Sequence, residues 1–174
     1  YLDTLDRARI SINIASYVGE GNIWQCVMGH SFERPTPAQI KGMKELIAEA
    51  MKEGAFGLSS MVMMPPGSLA TSEELAELCK VVHEFGGIYS SHIRNEGLGV
   101  FEAIKEAIEI GERSGVPVDI MHLKIADQKY WGRMNEVVAL IEQARGRGVN
   151  VQANVYPYTR GNNDLSSIIP PWAH

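Results

Sequence analysis

The sequence predicts an α/β fold in which about five parallel strands alternate with helices, as in a partial TIM-like β/α barrel. Three observations carry this expectation. Short runs rich in β-branched residues alternate with longer amphipathic runs. The amphipathic runs are closed by Gly54, Gly86, Gly115 and Gly148, spaced at about one strand-plus-helix step. Two consecutive strand-like runs also end alike, each with a histidine followed two residues later by a cation.

Residues 10–18 read as the first strand. Pro35-Thr36-Pro37 then opens a helix, with Thr36 as N-cap and Pro37 in the first turn, where a missing N–H costs nothing. It runs to Lys52 and stops at Gly54. Residues 55–60 form the next strand, and the Met-rich segment 61–69, with Pro65-Pro66-Gly67, reads as a long loop. Thr71 and Glu74 fit a capping box at the start of a helix that ends at Gly86-Gly87. Residues 87–92 are a strand, 99–113 a helix closed by Gly115, 116–124 a strand, 133–147 a helix closed by Gly148, and 149–155 the last strand. The tail from 156 to 174, rich in Asn, Ser and Pro, reads as a loop.

With 174 residues and 45% hydrophobic content, residues 1–174 are expected to form a single domain. A closed eight-stranded barrel takes about 250 residues. The chain is therefore read either as a fragment of such a barrel or as a small, open, doubly wound sheet. The opening Tyr1-Leu-Asp-Thr-Leu5 suggests a piece of a longer protein. A net charge of −5 without a Lys/Arg cluster argues against nucleic acid as a partner. The apolar runs are far shorter than the about 20 residues of a membrane span. Cys26 and Cys79 belong to no CxxC motif, and no basic-then-apolar leader is present, so a cytoplasmic location is expected.

The matched strand ends are Ser90-Ser91-His92-Ile93-Arg94 and Asp119-Ile120-Met121-His122-Leu123-Lys124. Alternation along a strand places His92 with Arg94 on one face, and His122 with Lys124 on one face. If the strands are neighbours, both imidazoles meet at the C-terminal mouth, where parallel β/α enzymes carry their chemistry. Neutral imidazole suits zinc or another divalent metal. Two histidines do not complete a catalytic site, which takes about three protein ligands, and no third ligand is evident. A lone histidine at a strand end is more often a hydrogen-bonded core residue, so spacing alone leaves metal binding at even odds. The cations could hold a substrate carboxylate or be solvated tips. His30 and His83 read as solvent-facing, and Cys79 as a small buried residue.

Gly54-Ala-Phe-Gly-Leu-Ser59, Pro65-Pro66-Gly67, Gly87-Ile-Tyr-Ser-Ser-His-Ile-Arg-Asn-Glu96, His122-Leu-Lys124, Tyr156-Pro-Tyr-Thr159 and Pro170-Pro-Trp-Ala173 follow one another in this order. In this the chain resembles the N-acyl-D-amino-acid deacylases of the amidohydrolase superfamily. The resemblance implies the middle of the barrel domain, about strands three to seven. It implies zinc ligation by His92 and His122, and contact of Lys124 and Tyr156 with the substrate carboxylate; Arg94 is expected to assist on the strength of its strand-end position. A ligating cysteine, an HxH pair and the general-base Asp of such enzymes would lie outside this chain, so no catalytic base is assigned within it. Three positions depart from the family: Met64 before Pro-Pro, Asn162 after Tyr-Pro-Tyr, and Gly19-Glu20-Gly21 in place of Gly-His-Gly.

The resulting expectation is a metal-dependent amide hydrolase acting on a small N-acyl amino acid, with this chain inactive alone. Two alternatives stand beside it. One is a non-catalytic α/β module that self-associates through open sheet edges and keeps a relic metal site. The other is a cyclic-amide amidohydrolase.

Overall fold

A computed structural model describes residues 2–162 and 169. After a short helix α1 (Leu2–Ala8), the order is β1 (Tyr17–Gly19), α2 (Glu20–Met28), α3 (Pro37–Lys52), β2 (Gly57–Met61), α4 (Ser72–Glu84), β3 (Ile88–His92), α5 (Val100–Ser114), β4 (Val118–Ile120), α6 (Met134–Gly146) and β5 (Val151–Ala153). The five strands pair in sequence order, all parallel. That order decides between the two architectures. A doubly wound sheet reverses its strand order at a switch point and covers both faces. Right-handed crossovers that never reverse leave the helices on one face, as in a barrel wall.

The register shows what each face is for. Leu58, Tyr89, Val118 and Val151 lie in one cross-strand row. All are buried against the helices. The next row, Ser59, Ser90, Asp119 and Gln152, points the other way and is polar. β2 and β3 approach closely because Gly57 has no side chain: a Cβ there would lie 2.0 Å from the Ile88 carbonyl oxygen. The helices dock through Trp24, Met43, Ile47, Leu75, Leu78 and Ile104, all nearly inaccessible.

Helix starts follow the expected chemistry. Thr36 and Thr71 each accept from the backbone N–H three residues on, and Gln39 and Glu74 reach back to complete capping boxes. Cys79 is buried. Among the described residues no helix is long and apolar enough to cross a membrane. One expectation is corrected. The first strand is confined to Tyr17–Gly19, although residues 10–18 carry its β-branched pattern, because only that stretch pairs with β2. Gly19-Glu20-Gly21 forms the strand-to-helix junction that starts α2.

Glu20 follows β1 on the helix-covered side. It is 1% exposed, and neither carboxylate oxygen has a hydrogen-bond partner among the described residues. The indole N–H of Trp24, one turn on, and the Ser68 hydroxyl are likewise unpartnered. Burial raises the Glu20 carboxyl from 4.5 to about 7, against the attraction of Arg94 and with a small push from Glu74. The folded protein thus keeps this proton in a range where the unfolded chain has released it. The stabilisation is full below pH 4.5 and is lost as pH rises to about 7. We expect Glu20→Gln to match the parent near pH 4.5 and to exceed it by up to roughly 3 kcal/mol at pH 8 in denaturant unfolding. Equal stability of the two proteins at pH 8 would show that Glu20 carries no such burden.

Candidate metal centre

β3 ends on His92, on the polar face of the sheet that carries Ser59, Ser90 and Asp119. β4 ends at Ile120, two residues short of His122. His122 therefore does not lie on the strand, as alternation along 116–124 had it. Its backbone is left-handed, with φ 39°. A non-glycine residue held there costs about 1–3 kcal/mol and persists where its surroundings fix it. Asn154, just past β5, does so: its side-chain oxygen accepts the His122 backbone N–H at 2.8 Å. The Asn154 amide also donates to Asp119 at 2.9 Å, and Ser90 donates to the same carboxylate oxygen.

The turn brings the two imidazoles together. His92 Nδ1 and His122 Nε2 face one another at 2.5 Å, with ring centroids 4.5 Å apart. Desolvation, then the neighbouring His122, lowers the His92 pKa, which favours the neutral ring. On its other edge, His122 Nδ1 lies 3.1 Å from a Glu96 carboxylate oxygen. Lys124 donates to that oxygen at 2.7 Å and to the His122 carbonyl at 3.1 Å. The Tyr156 ring lies 6.4 Å from His122 and 5.6 Å from the Lys124 ammonium. Among the described residues, no group of three or more His, Cys, Asp or Glu side chains gathers around one point.

Arg94 corrects another expectation. The strand stops at His92, so alternation does not extend to residue 94, and the guanidinium turns toward the helix layer. It makes a two-pronged ion pair with Glu106 of α5, closest at 2.7 Å, and donates to the carbonyls of Ser68 and Ala70. Its donors are spent on holding the 62–70 loop to α5, so it does not face the expected carboxylate position. Two cavities flank the histidine pair. One, of about 370 Å³, is lined by His92 together with Gly19, Gly21, Met64, Pro65 and Pro66. The departures at Met64 and Gly19-Glu20-Gly21 thus line the space beside His92. The other cavity, of about 430 Å³, includes Lys124 and Tyr156. Asn162 lines neither, while Pro170-Pro-Trp-Ala173 and His174 lie outside the described residues.

Sequence reasoning missed Glu96 and Asn154. Glu96 stood in a quoted motif but carried no spacing signal, because its position depends on how the loop after β3 folds back. Asn154 sits 32 residues from His122, and only strand pairing joins them.

No protein-family model matches the chain. D-aminoacylase of Alcaligenes xylosoxydans xylosoxydans is 38% identical over 165 residues, 95% of this chain and 34% of that protein. The crystal structure of D-aminoacylase, described as defining a novel subset of amidohydrolases, superposes with a TM-score of 0.87 at 35% identity, over 92% of this chain and 34% of its own. N-acyl-D-glutamate deacylase of Bordetella bronchiseptica, solved with zinc and a phosphonate mimic of the tetrahedral intermediate, gives 0.86 at 35% identity, over 90% and 33%. The chain spans about a third of the length of the relatives it matches.

Removing Arg94 tests its structural assignment. Arg94→Met should lower the unfolding free energy by about 2–3 kcal/mol, since it strands Glu106 and two loop carbonyls. An unchanged urea midpoint would return Arg94 to the pool of groups free to meet a ligand.

Proposed function

We propose, since this chain is a homologue of the N-acyl-D-amino-acid deacylases of the amidohydrolase superfamily, that it is the middle of a barrel whose parent is a metal-dependent amide hydrolase. In this reading residues 1–174 form one domain, about strands three to seven, and the substrate is a small N-acyl amino acid. The observation that carries it is the pair of ring nitrogens converging at the strand mouth.

The residues present suit a divalent metal such as zinc. His92 Nδ1 and His122 Nε2 converge on one point, and burial, which lowers the His92 pKa, favours the neutral ring that ligation requires. Placing the His122 Nδ1 proton toward Glu96 leaves Nε2 free, the carboxylate–histidine pairing that orients metal ligands. His92 Nδ1 and His122 Nε2 would hold the metal, with further ligands supplied from parts of the relatives that this chain does not match. When bound, the metal supplies polarisation of the amide carbonyl and acidification of water.

This chain's own residues then orient the substrate. The ammonium of Lys124 and the ring of Tyr156 stand beside His122, where they can receive the substrate α-carboxylate and so place the scissile amide over the histidine pair. Lys124 already pairs with the Glu96 carboxylate, so a substrate carboxylate replaces or joins an existing partner rather than meeting a bare charge. Arg94 keeps the 62–70 loop beside His92. The general base comes from outside this chain. A soluble cytoplasmic setting, a small-molecule partner and no nucleic acid or membrane complete the reading. In isolation the bare edges of β1 and β5 favour self-association.

The test is deacylation of N-acetyl-D-amino acids by the full-length, zinc-loaded protein, beside its L-substrates. We expect D-selective turnover, abolished in His92→Ala/His122→Ala, and none from residues 1–174 alone. Glu96→Gln should weaken zinc binding about 10–100-fold in chelator competition. Undiminished turnover in the double variant would end this assignment.

A further inference from the structure

The cavity beside His92 is walled by the 62–70 loop, and that loop rests on a carboxyl group that nothing holds. Met64, Pro65, Pro66 and Gly67 line the cavity. The Glu20 side chain packs against Gly67: a Cβ added there would lie 3.2 Å from a Glu20 carboxylate oxygen. Both Glu20 oxygens are sealed from solvent and unpartnered, and so is the hydroxyl of Ser68, the next residue of the loop. The fastening of the loop comes from two guanidinium groups. Arg94 donates to the Ser68 and Ala70 carbonyls, and Arg34 to that of Leu69.

The charges that reach Glu20 come from two directions. Arg94, just past β3, attracts its carboxylate, and Glu74 of α4 repels it. Glu74 is itself tied to Arg34. Cys79 of α4 and Tyr89 of β3 also feel Glu20, but burial raises both and keeps them neutral. The charged residues of α3 are exposed apart from Lys44, which is bound to Glu77. Tyr17 of β1 interacts with Ser90 and Asp119 instead, and β2 carries no ionisable side chain. Among the described residues, Arg94 is thus the cation that an ionised Glu20 meets. It is also a group that fastens the loop.

A buried carboxylate without donors must take a partner or let water in. Recruiting Arg94 draws the guanidinium off the Ser68 and Ala70 carbonyls. Admitting water lifts Gly67 from the carboxyl group beneath it. Both routes loosen the same segment. We propose that Glu20 is a proton-operated latch: protonated, it keeps the 62–70 loop in place as the wall of the cavity beside His92, and ionised, it releases that loop. The latch is a property of the fold, and its effect on turnover rests on the deacylase reading above. In that reaction Glu20 is a positioning residue that acts through the loop.

Amide hydrogen exchange of the full-length, zinc-loaded protein reads the latch directly. The Ser68, Leu69 and Ala70 amides donate within the loop, to the carbonyls of Met64, Pro66 and Gly67 at 2.9, 2.9 and 3.1 Å, and so report its opening. Their protection, corrected for intrinsic exchange, should fall roughly tenfold from pH 6 to pH 8, because the closed form retains a proton that the open form has released. Glu20→Gln and Glu20→Met, neutral at both pH values, should show no such fall, and the amides of α6 should not change in any of the three proteins. Equal protection of the loop at both pH values in the parent, or a loss shared evenly with α6, overturns the latch. Under the deacylase reading, KM for an N-acetyl-D-amino acid should rise with the loss of protection in the parent and stay level in Glu20→Gln. A KM profile that the variant leaves unchanged overturns the positioning role. Absence of turnover counts against the deacylase reading alone, since the exchange experiment decides the latch without it.

Discussion

The site depends on one geometric constraint: the parallel pairing of β3 with β4, Ser91 opposite Ile120, followed by a left-handed residue at His122. The pairing sets the two strand ends level. The turn at His122 then aims its ring back at the residue that ends β3. A one-residue slip of the register would send His92 into the helix layer, because successive strand side chains alternate faces. The apolar row Leu58, Tyr89, Val118 and Val151 guards against that slip, since the same slip would pull Tyr89 out of the row and off the helix-packed face. Packing of the core and position of the histidines are thus two consequences of a single register.

Electrostatics refine what the register sets. Glu96 stands between Lys124 and the outer edge of His122, so one carboxylate steadies both the imidazole and the cation. Asn154 links the strained backbone of His122 to Asp119 and so to β4 and β5. On the far side of the sheet Arg94 does a comparable task for the loop beside His92. His122 is supported by polar groups that follow its neighbouring strands, Glu96 after β3 and Asn154 after β5, which is how a barrel wall turns strand order into a rigid mouth.

Much of this was legible in the sequence because it depends on local chemistry. Thr36 with Pro37, Thr71 with Glu74, and the left-handed Gly115 after α5 mark helix ends by capping, which needs no tertiary partner. The histidine pair was legible because its signal repeats on consecutive strands. What was not legible depends on where strands stop. Residues 10–18 carry β-branched residues and 116–124 apolar ones over longer stretches than the sheet pairs, and propensity does not see the missing partner. For that reason His122 was placed on a strand that ends before it, whereas Arg94 was placed by carrying alternation two residues past the strand end at His92. Helix α2 was hidden by Gly21 within it and the glycines that flank it, and the cost of Gly21 in helix propensity is offset by burial of Ile23, Trp24 and Met28.

The central claim is that His92 Nδ1 and His122 Nε2 share a metal. The most direct measurement is a zinc-edge anomalous difference map from crystals of the full-length, zinc-loaded protein. The account predicts a peak bonded to both nitrogens, at about 2.0–2.1 Å from each. A peak elsewhere, or none at the histidine pair in crystals that retain zinc, would contradict it and leave these two residues as structural neighbours only.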